Sequence, residues 1–425
     1  MTHARSYENW KALLAGVRLP AALVDLDAVA RNAALILERL GPGPVTLRIA
    51  SKSVRVVGLL RHIAALCGAR ARGLMTFSAH ETAWLAERHG MTDLVLAYPI
   101  ARADEAEALA ACGRRPGVRV RAVIDDPAHV ELLAAAIARE PSPGLSACVD
   151  LDAAWRPLAP DGPLAGSPAS PGLLARLGRR VHLGVRRSPV RSAEAALALA
   201  DHARARGLVV DAVMAYEAQV AGLPDTSRSG GWLDPIRRFV RTRSMPVVTA
   251  RRREIVQALR AAGHPIALVN GGGTGSVGAT AHDGTVTEVT VGSGFLCSHL
   301  FDGYHDLPLE PAAFFALPIV RVPDPGFVTC FAGGYLASGP AAADRLPRVH
   351  APAGLTPTGG EGWGEVQTPL AVSRDAPPLA IGDPIIARHA KAGELFERFD
   401  RCHLVRGAHI DDVVPTYRGD QGSFG

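Results

Sequence analysis

The sequence contains few lysines and no long apolar run. Of its 46 Lys and Arg residues, three are lysines, Lys11, Lys52 and Lys391. Nearly all the basic residues of the chain are arginines. A lysine therefore indicates a position where an amine that can lose its proton is useful, because a guanidinium stays protonated. No stretch is apolar enough to span a bilayer, and the polar N-terminus leads into no signal-peptide core. These absences predict a soluble cytoplasmic protein without a membrane partner.

Paired cysteines and basic blocks are missing as well. The six cysteines are far apart, and no CxxC pair occurs, so the sequence indicates neither a zinc ribbon nor a disulfide scaffold. The net charge of +5 is modest for 425 residues, and the arginines are interleaved with acidic residues. We therefore expect no nucleic-acid partner.

Short β-rich runs recur along the chain, with Ala- and Leu-rich stretches of helical periodicity between them. The runs are Val45–Ala50, Ala71–Thr76, Asp93–Ala97, Val118–Ile124, Leu145–Leu151, Val209–Met214, Ile266–Val269 and Val286–Val291. Eight strand–helix units over roughly 250 residues are typical of an α/β fold of the (β/α)8, TIM-barrel type. An open doubly wound sheet is the alternative.

The residue pattern changes after about residue 296. From there, short segments of alternating apolar and polar residues are separated by Gly and Pro turns. This pattern predicts a C-terminal all-β domain over residues 296–425. The barrel then takes residues 18–295, and an N-terminal helix within residues 1–17 is expected to pack on the β-domain. Residues 157–171, rich in Pro, Gly, Ala and Ser, predict a surface insertion in the barrel.

Active sites of such barrels lie at the carboxyl ends of the strands, and Lys52 directly follows the first strand. Its amine can form a Schiff base with an aldehyde such as pyridoxal phosphate; the alternative is that Lys52 caps the strand or pairs with a carboxylate. The loops after strands seven and eight, Asn270–Ser276 and Gly292–Gly294, are rich in Gly and Ser. Glycines let backbone amides approach a phosphate, although tight turns use glycine too.

A phosphate cradle and a strand-terminal lysine in one barrel predict bound pyridoxal phosphate. The predicted contacts are Lys52 for the aldehyde, Arg156 and Tyr216 beside the ring, and Gly272, Gly273, Thr274, Gly275 and Ser293 around the phosphate. The run His182–Pro189, which contains Arg186 and Arg187, can bind a substrate carboxylate through a bidentate arginine fork. A solvated basic loop is the alternative for these two arginines.

These residues resemble those of the fold-type III pyridoxal-phosphate enzymes, the alanine-racemase-like barrels. The chain is most similar to the D-threonine aldolase and D-serine dehydratase branch, the amino-acid aldolase/deaminase group. The similar motifs are Val24–Asp27, Arg48–Lys52, Val149–Asp152 with Arg156, Met214–Glu217, Asn270–Gly275 and Gly292–Gly294. The resemblance implies an imine on Lys52, phosphate binding by the glycine turn, a β-domain that covers the barrel mouth, and a homodimer.

The resemblance also implies a divalent metal in the β-domain, bound through a His-x-Cys or His-x-Asp pattern. His389 stands at the position of the first ligand, but Lys391 stands at that of the second, and an ammonium cannot ligate a metal while it is protonated. Either Glu394 or Cys402-His403 supplies the missing ligand, or Lys391 replaces the ion as a fixed positive charge. A surface position for Lys391 is the structural alternative.

The predicted function is that of a pyridoxal-phosphate-dependent lyase acting on a small-molecule substrate, a β-hydroxy D-amino acid. The substrate would displace Lys52 to form an external aldimine and then undergo retro-aldol cleavage or dehydrative deamination. The D configuration is implied by the resemblance alone. The alternatives are an amino-acid racemase or epimerase with the same cofactor, and a non-catalytic protein that carries the cofactor.

Overall fold

A computed structural model of the chain describes residues 5–157, 181–226 and 231–424. It contains a closed barrel of eight parallel strands and a separate, mostly antiparallel sheet of nine strands. The predicted (β/α)8 barrel with a C-terminal β-domain is therefore confirmed, and the alternative of an open sheet is wrong because the first and last barrel strands pair with each other. Residues 158–171 of the predicted insertion lie outside the described residues.

One strand, β1 (Ala21–Asp25), precedes the barrel along the chain. The barrel strands are β2 (Thr46–Ala50), β3 (Ala71–Thr76), β4 (Asp93–Leu96), β5 (Arg119–Ile124), β6 (Leu145–Asp150), β7 (Val210–Ala215), β8 (Leu268–Gly271) and β9 (Glu288–Val291). All eight coincide with predicted runs to within two residues at either end. The register of β2 against β9, with Thr46 opposite Glu288, closes the barrel.

Several of the helices begin at polar caps. The described helices are α1 (Tyr7–Leu13), α2 (Leu26–Leu40), α3 (Val57–Cys67), α4 (Ala79–His89), α5 (Ala103–Arg114), α6 (Pro127–Arg139), α7 (Ala193–Ala205), α8 (Ala218–Ala221), α9 (Asp234–Ala261), α10 (Val277–Ala281), α11 (Ser293–Leu296) and α12 (Ala392–Phe396). The side chains of Asp25, Ser78 and Ser192 each accept a hydrogen bond from a first-turn amide, which is the usual N-cap interaction. Among the described helices, none combines the length and apolarity needed to cross a membrane.

Ion pairs occupy part of the barrel interior. Side chains alternate along each strand, so one set packs outward on the helices and the other points inward. Arg48 pairs with Glu288 at 2.6 Å, and both side chains are 1% exposed. Arg121 pairs with Asp211 at 3.0 Å. Because each buried charge has a hydrogen-bonded partner, these residues cross-link strands that are distant in sequence.

The second sheet combines the C-terminal strands with β1. Its other strands are β10 (Ala313–Arg321), β11 (Phe327–Phe331), β12 (Arg348–Ala351), β13 (Leu355–Pro357), β14 (Gln367–Val372), β15 (Pro384–Arg388), β16 (Arg401–Arg406) and β17 (His409–Pro415). Strand β1 lies within the range predicted for the barrel, but it pairs with β10 and β16 in this sheet. Helix α1 packs on the same sheet, where the rings of Trp10 and Phe314 are 5.2 Å apart.

Helix α12 joins the β-domain to the mouth of the barrel. It packs on the turn Ser51–Ser53 that follows β2. The approach is so close that a Cβ atom on Gly393 would lie 1.9 Å from the carbonyl oxygen of Lys52. Nearby, Arg55 pairs with Glu397 at 2.7 Å. A residue without a side chain at position 393 is therefore required for this docking.

We predict that Gly393→Ala loosens the contact between the two domains. The added methyl group must displace the backbone of one segment, which should lower the free energy of unfolding by about 1–3 kcal/mol. Urea unfolding followed by circular dichroism measures this change. Gly360→Ala is the matched control, because a Cβ atom there meets no atom within 4 Å. Equal stability of the two variants would contradict the prediction.

Candidate active site

Lys52 lies at the mouth of the barrel, in the short 3-10 turn Ser51–Ser53 after β2. Ser51 fixes this turn by donating a hydrogen bond to the carbonyl oxygen of Met75, 3.0 Å away on the neighbouring strand β3. The Lys52 side chain itself remains accessible to solvent. The turn therefore holds the backbone while the amine stays available to a ligand.

The surroundings of Lys52 favour its neutral amine. Desolvation by the surrounding protein is the main cause that lowers the pKa of Lys52 below 10.5. The nearby charges of Arg187, Lys391 and Arg55 lower this pKa further, whereas Tyr98 opposes them. A neutral amine is the nucleophilic form of lysine, so the position meets the chemical requirement for a bond to an aldehyde.

The glycine-rich loops after β8 and β9 touch each other, as their positions in the barrel predict. Thr274 Oγ1 accepts a hydrogen bond from the amide of Gly294 at 3.0 Å and lies 3.4 Å from Ser293 Oγ. The amide of Gly273 donates to Ser276 Oγ at 3.1 Å. Thr274 and Ser293 thus bring two hydroxyl groups to one place, next to the first amides of two short helical turns, which have no partner within their own turn.

The cradle formed by these loops has no room for side chains. A Cβ atom on Gly275 would lie 2.3 Å from the carbonyl oxygen of Ala221 and 2.4 Å from the Tyr304 ring, and one on Gly273 would lie 3.2 Å from the Tyr216 ring. Tyr216 is therefore in contact with the glycine loop. The bare backbone and the paired hydroxyls fit a phosphate group.

Aromatic and cationic side chains lie near both Lys52 and the glycine loops. The guanidinium of Arg187 lies 4.8 Å from the centre of the Tyr98 ring and 6.0 Å from that of Tyr216. Because Arg187 also acts on the pKa of Lys52, it links the amine to the tyrosine at the cradle. Together, these groups fit a flat, phosphorylated aldehyde such as pyridoxal phosphate.

Arg156 forms an ion pair with the buried carboxylate of Asp152. Its guanidinium donates to Asp152 at 2.5 Å, and Arg191 donates to the same carboxylate at 2.6 Å. The predicted role of Arg156 beside the cofactor ring stays a prediction. Sequence reasoning missed Tyr98, although it directly follows the third predicted strand, Asp93–Ala97, at the end where active-site residues gather.

A buried carboxylate, that of Glu217, holds the start of the glycine loop after β8. Glu217 is fully buried; it accepts hydrogen bonds from the amide of Gly272 at 3.0 Å and from Arg252 at 3.1 Å. Arg252 also pairs with Asp283 at 2.5 Å. Gly272 has a φ of +78°, a conformation that favours glycine. The ion pair thus fixes the start of the loop in this conformation.

A second buried carboxyl group lies behind Lys52. Glu81 is fully buried, accepts from the amide of Phe77 at 2.8 Å and from the Tyr417 hydroxyl at 3.0 Å, and also interacts with Ser51. Burial raises the pKa of Glu81 to about 7, against the hydrogen bonds and Arg55, which lower it. Since Tyr417 belongs to the C-terminal segment, Glu81 connects that segment to the Lys52 turn.

The predicted metal site does not fit a metal ion. Within the described residues, no group of three His, Cys, Asp or Glu side chains could hold one. Nδ1 of His389 lies 2.6 Å from the carbonyl oxygen of Lys391 and 3.0 Å from its amide nitrogen, so the Lys391 backbone occupies this atom. Of the proposed replacement ligands, Glu394 binds Ser338 and Lys391, and Nδ1 of His403 lies 3.2 Å from the carbonyl oxygen of Ala22.

We predict that Glu217→Gln destabilises the protein and frees the glycine loop. The substitution removes one of the two carboxylates that neutralise the buried Arg252, which should lower the free energy of unfolding by about 3 kcal/mol. Urea unfolding measures the effect. Glu107→Gln is the control, because Glu107 forms an exposed ion pair with Arg139 and should contribute less than about 1 kcal/mol. Similar losses of unfolding free energy in both variants would show that Glu217 does not stabilise the glycine loop.

We predict that Glu81→Gln changes how stability depends on pH. The folded carboxyl group keeps its proton up to about pH 7, whereas the unfolded group loses it near 4.5. The stabilisation is complete below pH 4.5 and is lost as the pH rises to 7, on the order of 3 kcal/mol in total. The difference in unfolding free energy between wild type and Glu81→Gln should fall by this amount over that range.

Chemical unfolding at several pH values measures that difference. Glu87→Gln on the same helix is the control, because its side chain is exposed. A wild-type-minus-variant difference that is constant from pH 4.5 to 7 would show that Glu81 ionises normally in the folded protein.

The chain is similar in structure to several known proteins. No protein-family model and no curated sequence matches the chain. It is similar to the D-threonine aldolase from Filomicrobium marinum, with a TM-score of 0.73 and 21% identity over 96% of this chain and 97% of that one. The D-threo-3-hydroxyaspartate dehydratase from Delftia sp. HT23 matches with a TM-score of 0.70 and 18% identity over 95% and 98% of the two chains.

An alanine racemase-like protein from Idiomarina loihiensis is similar too, with a TM-score of 0.66 and 14% identity over 95% of this chain and 98% of that one. At such identities the likeness establishes the fold. The resemblance inferred from the motifs is therefore confirmed at this level: the chain has the barrel and β-domain architecture of the fold-type III pyridoxal-phosphate enzymes.

Proposed function

We propose that this protein is a pyridoxal-phosphate-dependent lyase that acts on a β-hydroxy D-amino acid. The observation that carries the proposal is one barrel mouth that holds both a lysine of lowered pKa and a glycine cradle with paired hydroxyl groups. The full-length likeness to an aldolase and a dehydratase named for β-hydroxy D-amino acids supports this substrate class.

Each group has a distinct task in this proposal. Lys52 would hold the cofactor covalently through its amine, and Thr274 and Ser293, with the adjacent amides, would hold the phosphate. When bound, the cofactor withdraws electrons from the Cα atom of an amino acid. Once the substrate is bound, the freed Lys52 amine accepts or returns a proton at Cα.

Substrate recognition needs a cation for the α-carboxylate. Arg187 suits this task because it lies near Lys52 and Tyr216, while the carboxylate of Asp150 is 3.8 Å away and leaves its charge only loosely compensated. The β-domain, through α12 and Tyr417, covers the turn of Lys52 and excludes water from that side of the site. A homodimer and a cytoplasmic location stay predictions.

We predict that borohydride reduction of the cofactor-loaded protein labels Lys52. Because the chain has only Lys11, Lys52 and Lys391, peptide mass spectrometry can assign the phosphopyridoxyl group without ambiguity. Lys52→Arg should abolish the label, since a guanidinium does not form this bond. Lys11→Arg, at an ion pair on the N-terminal helix, should leave it unchanged. A label on Lys11 or Lys391 would contradict the proposal.

Product analysis with D-threonine tests the reaction class. Glycine with acetaldehyde shows cleavage, and 2-oxobutyrate with ammonia shows dehydrative deamination; either result supports a lyase. Epimerisation at Cα without loss of the side chain would replace the lyase with a racemase. A bound cofactor that neither D-threonine nor D-serine alters would refute the proposed reaction.

A further inference from the structure

The third lysine of the chain lies in the candidate active site. Lys391 precedes α12, the helix that docks on the Lys52 turn, and its charge is close enough to lower the pKa of Lys52. A Cβ atom on Gly393 would almost touch the Lys52 carbonyl oxygen, so this segment has little freedom to move away. Two amines, one from each domain, thus share the site.

The Lys391 ammonium is held at a defined position. Its Nζ atom donates to Ser338 Oγ at 2.5 Å and pairs with Glu394 Oε1 at 3.1 Å. Glu394 accepts from both the amide and the hydroxyl of Ser338, at 2.7 and 2.6 Å. Although burial acts to raise the pKa of Glu394, the hydrogen bonds of Ser338 and the charge of Lys391 lower it.

This arrangement leaves the ammonium available to a ligand. The Lys391 side chain is 39% exposed, and an ammonium has three donors, of which Ser338 and Glu394 use two. His389, by contrast, is buried, and its Nδ1 atom is engaged by the Lys391 backbone. The segment therefore offers a positive hydrogen-bond donor where the resemblance implies a metal ion.

We propose that Lys391 replaces the metal ion as the general acid for the β-hydroxyl group, so that the protein carries out dehydrative deamination without a divalent metal. This inference rests on the proposed function. The Lys52 amine takes the proton from Cα, and the electron pair of that bond forms a Cα–Cβ double bond. The Cβ–O bond breaks, and its electron pair leaves with the oxygen, which receives a proton from Lys391 and departs as water.

The remaining steps of the reaction consume and exchange only water and its protons. Lys52 gives the Cα proton to solvent and re-forms its bond to the cofactor, which releases the enamine. The enamine tautomerises and is hydrolysed to a 2-oxo acid and ammonia, and solvent restores the proton of Lys391. Retro-aldol cleavage instead requires a group that accepts the proton of the β-hydroxyl. An ammonium has no lone pair, so Lys391 assists elimination and not cleavage.

A change of leaving group tests this role. D-Serine loses hydroxide, which needs a proton, whereas β-chloro-D-alanine loses chloride, which does not; both yield pyruvate and ammonia. Lys391→Met should lower kcat/KM for D-serine by about 10²–10⁴-fold and for β-chloro-D-alanine by less than about threefold. Lys11→Met is the matched control and should change neither rate.

Two measurements besides turnover separate a chemical role from a structural one. The dissociation constant of D-alanine, from the absorbance change of the bound cofactor, should be the same for wild type and Lys391→Met. The cofactor-loaded enzyme is also treated with EDTA. Inductively coupled plasma mass spectrometry should then find less than one zinc, manganese or other divalent ion per chain, and the activity on D-serine should be retained.

Several results would overturn the inference while the lyase function stands. These are equal losses of rate on both substrates, no loss on either, glycine and acetaldehyde as the products from D-threonine, or D-serine activity that EDTA abolishes and a divalent ion restores. If wild-type enzyme with bound cofactor forms no pyruvate even from β-chloro-D-alanine, the proposed function fails together with the inference.

Discussion

The candidate site depends on the concentration of positive charge around one amine. Arg55, Arg187 and Lys391 approach Lys52 from three separate segments, and each lowers its pKa in addition to desolvation. In the proposed function, Arg187 also attracts the carboxylate of the amino acid. Each cation also has a carboxylate of its own, Glu397, Asp150 or Glu394. These partners fix the positions of the charges without removing their combined field, so one arrangement serves both nucleophilicity and anion binding.

This field is complete only when the two domains are docked. Lys52 and Arg187 come from the barrel, but Lys391 precedes α12 and Glu397 immediately follows it. Gly393 allows the backbone of α12 to reach the Lys52 carbonyl, and the buried pair of Glu81 and Tyr417 ties the C-terminal segment to the same place. Docking is therefore part of the chemistry, since separation of the domains would remove Lys391, one of the three cations, from the surroundings of Lys52.

The sequence predicted those features that depend on local periodicity. The barrel strands are buried runs between amphipathic helices, and the strand-end rule placed Lys52 and the two glycine loops at one mouth, where Thr274 and Ser293 do meet. Local patterns do not specify long-range pairing. The apolar run Ala21–Val24 has no feature that assigns it to either sheet, and the contact of Lys391 with the surroundings of Lys52 spans more than 300 residues of chain. For Arg187 the sequence allows two interpretations, a carboxylate-binding side chain and a solvated basic loop. It does not decide between them because the contact of Arg187 with Tyr98 and Tyr216 depends on how two loops fold.

A fixed ammonium and a divalent ion place different demands on a site. A metal ion needs several ligands with lone pairs, and it can bind an alkoxide as readily as it polarises a hydroxyl group. An ammonium needs only acceptors, such as Ser338 and Glu394, and it can give a proton but cannot coordinate the deprotonated oxygen with comparable charge. Replacement of the ion by Lys391 would therefore simplify the site and restrict its chemistry at the same time. The side of the substrate that faces the β-domain would favour the departure of water over the departure of an aldehyde, and a single residue would determine which bond breaks.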